Sequence, residues 1–254
     1  MPVDLPDPER VLTETNWAAM EHGMGPAADA PEMLPSLLDA DQDVRSQALS
    51  YLVHVLNHQS TLYDSTVPAA LYVAAVLADP RTALPVDKKP HDFPGPLRAE
   101  LLGWLDSVAN EVCDEAEAIG RRHGFPLEEY PPAVQTREIR PLLFRAVHAC
   151  INDSDPHVRE AAIAACMPLA DDPRLIPHRA TLAPLLRDVL ATSKLWQYRE
   201  RAIEALAMWG EDTAGLEVQR EPFEVCDSEL STDSTSTWPA GPRFALGDDS
   251  GPPF

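Results

Sequence analysis

The chain has 254 residues, 44% of them hydrophobic, and a formal net charge of -21 from 41 acidic and 20 basic residues. That apolar content supports an extended core and excludes a disordered chain. The charge excludes nucleic acid and anionic membranes as partners and favours basic ones.

In chain order, residues 8–21 are predicted as a first helix with Val11, Leu12, Trp17 and Met20 facing inward. Gly23-Met24-Gly25-Pro26 ends it. Because that Gly-x-Gly follows a helix and runs into proline, it reads as a plain turn and not as a phosphate loop. Asp29 and Asp41 read as N-caps, the first of a short helix over 31–38, the second of a longer one carrying Val44, Ala48, Leu49, Leu52, Val55 and Leu56. Residues 63–77 form another apolar helix. Prolines 80, 85, 90, 94 and 96 then forbid regular helix over 79–96. A long helix is predicted over 97–120, with Leu97, Leu101, Leu105, Val108, Val112 and Ile119 as its apolar stripe. A second loop covers 121–136, and helices follow over 139–150, 158–169, 182–190 and 198–209. Every predicted element is helical. Residues 1–215 read as one helical domain, and 216–254 as an acidic, Ser/Thr/Pro/Gly-rich flexible tail.

The stretch from Asp155 to Cys166 is the unit of organisation. Asp155 caps, Pro156 suits the first helical position, and Val158, Ala162, Ile163 and Cys166 make one apolar stripe. It recurs: Val44-Arg45-Ala48-Leu49-Leu52, Val158-Arg159-Ala162-Ile163-Cys166 and Tyr198-Arg199-Ala202-Ile203-Leu206 align in type and spacing. Arg159 to Arg199 is a step of 40 residues, inside the range of about 40–47 for two-helix repeats. Arg98 gives a weaker copy, displaced by the two proline-bearing loops.

Asp-Pro-x-Val-Arg-x-x-Ala at the head of a second helix is the pattern of the HEAT-repeat family, and Asp155-Pro156-His157-Val158-Arg159-Glu160-Ala161-Ala162 matches it fully. The chain thus resembles a bacterial HEAT-repeat protein over about residues 30–212. The resemblance implies an all-α solenoid of about four helix pairs, with an N-terminal capping helix and second helices lining a concave side. The first and fourth copies depart from the pattern: Gln42 and Trp196 stand where proline is usual, and Tyr198 replaces valine.

No chemistry-bearing constellation accompanies the repeats. Cys113, Cys150, Cys166 and Cys226 are widely spaced and read as reduced, which fits a cytoplasmic setting, as does the absence of a signal peptide in the first residues. The eight histidines are scattered, no His-Glu dipeptide of the kind a HEAT-repeat di-iron enzyme resembles occurs, and no Gly-x-Ser-x-Gly is present. Neither metal nor cofactor is therefore expected. The polar run from His58 to Asp64 is read structurally, with Ser60 or Thr61 capping the next helix.

A catalytically bare, acidic solenoid resembles bacterial immunity proteins, which block a toxin by covering it. The expected function is non-enzymatic binding of a basic protein partner, with a general scaffold or adaptor and an unrecognised enzyme as alternatives. The expected partner-binding residues are Glu100, Glu111 and Asp114 on the long helix, Glu160 on the third pair, Glu200 and Glu204 on the fourth, and Glu128, Glu129 and Tyr130 on the inserted loop.

Overall fold

The computed structural model describes residues 4–87 and 94–217. Cys226 and nearly all of the acidic tail lie outside the described residues. Within them the chain is all-α in class, with ten α-helices: α1 (Pro8–Glu14), α2 (Ala30–Met33), α3 (Gln42–Tyr51), α4 (Thr66–Val76), α5 (Leu97–Asn110), α6 (Asp114–Arg122), α7 (Pro131–His148), α8 (Pro156–Leu169), α9 (Arg179–Thr192) and α10 (Trp196–Met208). Two short antiparallel hairpins, β1 (Glu21–His22) with β2 (Gly25–Pro26) and β3 (Pro85–Asp87) with β4 (Pro94–Pro96), correct the expectation of helix throughout. No described helix is long and apolar enough to cross a membrane.

Helices pack on their sequence neighbours, as α4 on α5, α7 on α8 and α9 on α10. They also pack across pairs: α4 on α7, α5 on α8, α8 on α10, and α1 on α4. One continuous core results, running from Val11 to Leu206 and including Leu101, Leu105, Phe144, Ile163 and Cys166.

The recurring arginine has a structural reason. Arg45, Arg159 and Arg199 each reach back six residues, donating to the main-chain carbonyls of Asp39, Asp153 and Ser193 at 2.8, 2.8 and 2.6 Å. The accepting residue also organises the turn. Asp39, Asp153 and Ser193 accept the N–H two residues on, at 2.8, 3.0 and 3.2 Å. Arg45 further binds the Pro85 carbonyl at 2.5 Å, and Arg98 holds the Asp79 carbonyl at 3.2 Å and the Asp153 carboxylate at 2.9 Å. Arg45 and Arg98 thus tie one inter-helix turn to another, while Arg159 and Arg199 clamp the turns before their own helices. Asp155 and Asp41 cap as expected, accepting the His157 and Asp43 N–H groups, both at 2.8 Å.

Several boundaries differ. The first helix stops at Glu14 because Thr15 turns extended, and Trp17 folds back to donate its indole N–H to the Leu12 carbonyl at 3.1 Å. Gly23-Met24-Gly25-Pro26 is part of the β1–β2 hairpin. Gly23 sits so close to His58 that a Cβ would lie 2.5 Å from the His58 Cβ. Asp29 does not cap α2 with its side chain; its carboxylate instead accepts from Tyr51 at 2.8 Å and pairs with the His22 ring at 3.0 Å.

The predicted long helix is broken between α5 and α6. The Asn110 amide folds back on Asp106, and the extended Cys113 offers its sulfur to the Ala116 N–H. Asp114, Glu115 and Glu117 then supply the acidic first turn of a new helix. By contrast, α7 begins eight residues before Ile139, with Pro131 and Pro132 in its first turn.

Candidate functional site

Three helices that pack in series, α5 on α8 and α8 on α10, carry four of the expected acids. Glu100 lies in the first turn of α5, Glu160 on α8, and Glu200 and Glu204 on α10. Tyr198, at the start of α10, registers their field. Burial first, then Asp106, with Glu100 and Glu160 adding to them, push its phenol up to about 12, against the opposing pull of Arg201. Arg201 is already committed to a bidentate pair with Asp106, at 2.6 and 2.8 Å, that joins α10 to α5. Glu204 is exposed and acts on the same guanidinium. Glu160 accepts the Ser193 hydroxyl at 3.0 Å, which keeps its carboxylate oriented. Asp106, Glu100 and Glu160 thus act on Tyr198, and Asp106 and Glu204 on Arg201, which groups these acids on an α5–α8–α10 face. Glu200 is half-buried on the same helix and makes contacts of its own.

The remaining expected residues sit elsewhere. Glu111 caps the far end of α5, about 16 Å from Glu100 at helical rise, and burial raises its carboxyl above the usual range. Asp114 opens α6, exposed, with its main-chain N–H bound to Asp171 at 3.1 Å. Glu128 pairs with Arg121 at 3.1 Å and Glu129 is exposed. The Tyr130 hydroxyl donates to the Leu62 carbonyl. The nine residues thus form two groups, one on α5–α8–α10 and one around α6.

A groove of about 490 Å³ adjoins Glu100, lined also by His54, Asn57, His58, Trp104 and Ser107. It lies beside the His58 to Asp64 run, whose structure differs from the expected cap. After α3 the helix widens into a π turn (Leu52–Leu56), and Gln59 and Ser60 take left-handed backbone, φ 51° and 57°. Such conformations strain residues other than glycine. Buried bonds over-determine the segment. Trp104 donates to the Leu52 carbonyl at 2.9 Å, Asn57 donates to the Thr61 carbonyl at 3.1 Å, and Ser107 donates to the Asn57 side chain at 3.0 Å. Neither Ser60 nor Thr61 caps α4. Thr66 instead accepts the Tyr63 N–H at 2.8 Å and donates to the Leu56 carbonyl at 2.6 Å. The His58 Nδ1–H donates to the His54 carbonyl at 3.0 Å.

Other titratable groups serve the fold. Arg140 and Asp172 form a buried pair at 3.5 Å, and Asp172 is also held by Arg174 at 2.6 Å. Along α7 a cavity of about 670 Å³ is lined by Ile139, Leu142, Phe144, His148 and His178. Burial, then the His178 ring, lower the His148 pKa. Burial raises the thiols of Cys113, Cys150 and Cys166, which are free and poorly nucleophilic. Among the described residues no group of three or more His, Cys, Asp or Glu is placed to hold a metal ion.

Comparison with family models, with curated proteins and with solved structures gives no match to this chain.

Proposed function

We propose that the chain is a non-enzymatic binding protein, a HEAT-like solenoid of about four helix pairs, whose α5–α8–α10 face takes a basic protein in the manner of an immunity protein. The observation that carries this reading is the convergence of Glu100 and Glu160 on Tyr198, next to an arginine, Arg201, that Asp106 already neutralises and on which Glu204 also acts. Packing of α4 on α7, α5 on α8 and α8 on α10 supports the stacked arrangement. The net charge of -21 supports the sign of the partner. Charge of this kind speeds encounter and selects partners more than it adds affinity, and salt weakens it as the screening length falls to about 8 Å at physiological ionic strength.

The test is co-expression of the protein with the product of its neighbouring gene, scored by growth. Rescue by the native chain and its loss in a Glu100→Lys, Glu160→Lys, Glu204→Lys triple variant, with unchanged circular dichroism, is the expected result. Undiminished rescue by the triple variant would remove the α5–α8–α10 face from the interaction. Several unrelated partners captured from the native host, insensitive to salt, would favour a general scaffold.

A further inference from the structure

The core does not account for the α6 hairpin. None of the nine residues of α6 is buried, yet its placement is fixed. Glu117 pairs with Arg121 in its own helix and with Arg137 on α7, both at 2.6 Å. Asp171 accepts the Asp114 N–H, and the Tyr130 hydroxyl reaches the Leu62 carbonyl. The tip is equally well built. Beyond α6 the Phe125 N–H bonds to the Gly120 carbonyl at 2.8 Å and the Gly124 N–H to the Arg121 carbonyl at 3.3 Å. Gly124 takes φ 80°, the left-handed turn that glycine adopts without strain. Gly120 lets the tip close, since a Cβ there would lie 2.6 Å from the Phe125 carbonyl oxygen.

This construction holds Phe125 76% exposed at the tip and Ile119 45% exposed on the helix beside it. Exposed apolar side chains held in a fixed frame gain nothing from water. Around them Asp114, Glu115, Glu128 and Glu129 are exposed. Residues 114–129 carry five acids against two arginines, and Arg121 is already engaged by Glu117 and Glu128.

We propose that the α6 hairpin is the anchoring arm of the protein interface: Phe125 and Ile119 enter an apolar recess on a basic protein, and Asp114, Glu115 and Glu129 meet its lysines and arginines at the rim. An apolar centre inside a charged rim is the anatomy of an energetic hot spot, and an aromatic ring presented by a rigid turn loses little freedom on binding. The excess of carboxylates sets the sign of the partner. The inference rests on the reading of the chain as a binder of a basic protein. It places a second contact beyond the α5–α8–α10 face, since α6 opens past the far end of α5, where Glu111 already lies about 16 Å from Glu100 at helical rise.

The experiment places a photo-crosslinking phenylalanine analogue at position 125 of the full chain in its native host. The crosslinked protein is identified by mass spectrometry and purified, and its affinity is measured by calorimetry for the native chain, Phe125→Leu, Phe125→Ala and the Glu100/Glu160/Glu204 lysine variant. A basic protein is expected, bound at least tenfold more weakly by Phe125→Ala and less affected by Phe125→Leu, with circular dichroism unchanged because Phe125 supports no core. Absence of a crosslink, a partner that is not basic, or a loss under tenfold overturns the inference. If charge reversal on the α5–α8–α10 face abolishes binding while Phe125→Ala leaves it intact, the anchoring arm falls and the proposed function stands. If Phe125→Ala weakens binding tenfold and charge reversal does nothing, the arm stands and that face is not the site.

Discussion

Two stretches of similar length are held in place by different means. Residues 156–208 are regular: α8, α9 and α10 bury apolar stripes, and the turns before α8 and α10 are clamped by Arg159 and Arg199. Residues 15–66 contain a hairpin, a π turn and two left-handed residues, and their order rests on bonds between positions far apart, such as Trp104 to Leu52, Ser107 to Asn57 and Ser65 to Glu21. In the first stretch the core dictates the backbone. In the second, buried polar groups do, so the two should fail differently when altered.

The largest effect is expected in the regular stretch. Val158→Asp places a carboxylate in the inter-helix core beside Ala162 and should unfold the protein, at a loss of several kcal/mol. An unchanged helical spectrum and melting temperature would show that the stripe is not where the stability of α8 resides. In the irregular stretch, Thr66→Val keeps the shape of a fully buried side chain but leaves the Leu56 carbonyl and the Tyr63 N–H unbonded. A loss of about 2–3 kcal/mol in denaturant midpoint is expected; a neutral result would mean that packing suffices here as well. Gln59→Gly should run the other way, gaining about 1 kcal/mol by relieving left-handed strain. Should the variant melt lower than the native chain, side-chain contacts of Gln59 outweigh its backbone.

The smallest effect belongs to the junction of α5 and α6. Burial raises the Glu111 pKa, so the folded chain holds that proton to higher pH than the unfolded one. The charged form therefore opposes folding. Its penalty is complete above the raised value and disappears as pH falls below the ordinary value of 4.5. Glu111→Gln should accordingly be more stable than the native chain by a few tenths of a kcal/mol at pH 7 and lose that advantage in acid. Stability curves of the two proteins that run parallel from pH 7 to pH 4 would show that the group titrates alike in both states.

How much could be read in advance follows the same division. The caps Asp41 and Asp155, the stripe of α8 and the repeated arginine are local or periodic signals, and the structure uses each of them. The break at Asn110 was legible in the acidic run Asp114, Glu115 and Glu117, but continued periodicity through Val112 and Ile119 concealed it. Arg140 and Thr136 hid the true start of α7, because buried polar residues do not register in a hydrophobic pattern. The pairings of Asp29 with Tyr51 and of Thr66 with Leu56 have no short-range signal at all. The same holds for the candidate site: the acids could be named from the chain, but their division between the α5–α8–α10 face and the α6 hairpin depends on which helix ends where.

The arginine clamps bear on how freely the turns can vary. A guanidinium that grips a main-chain oxygen asks nothing of the side chain on the gripped residue, so Arg45 can hold Pro85, and Arg98 can hold Asp79, whatever stands at those positions. Substitution and insertion in the turns are then tolerated while the carbonyl stays within reach. The frame set by the clamps and the sequence of the turns can therefore be changed independently of each other.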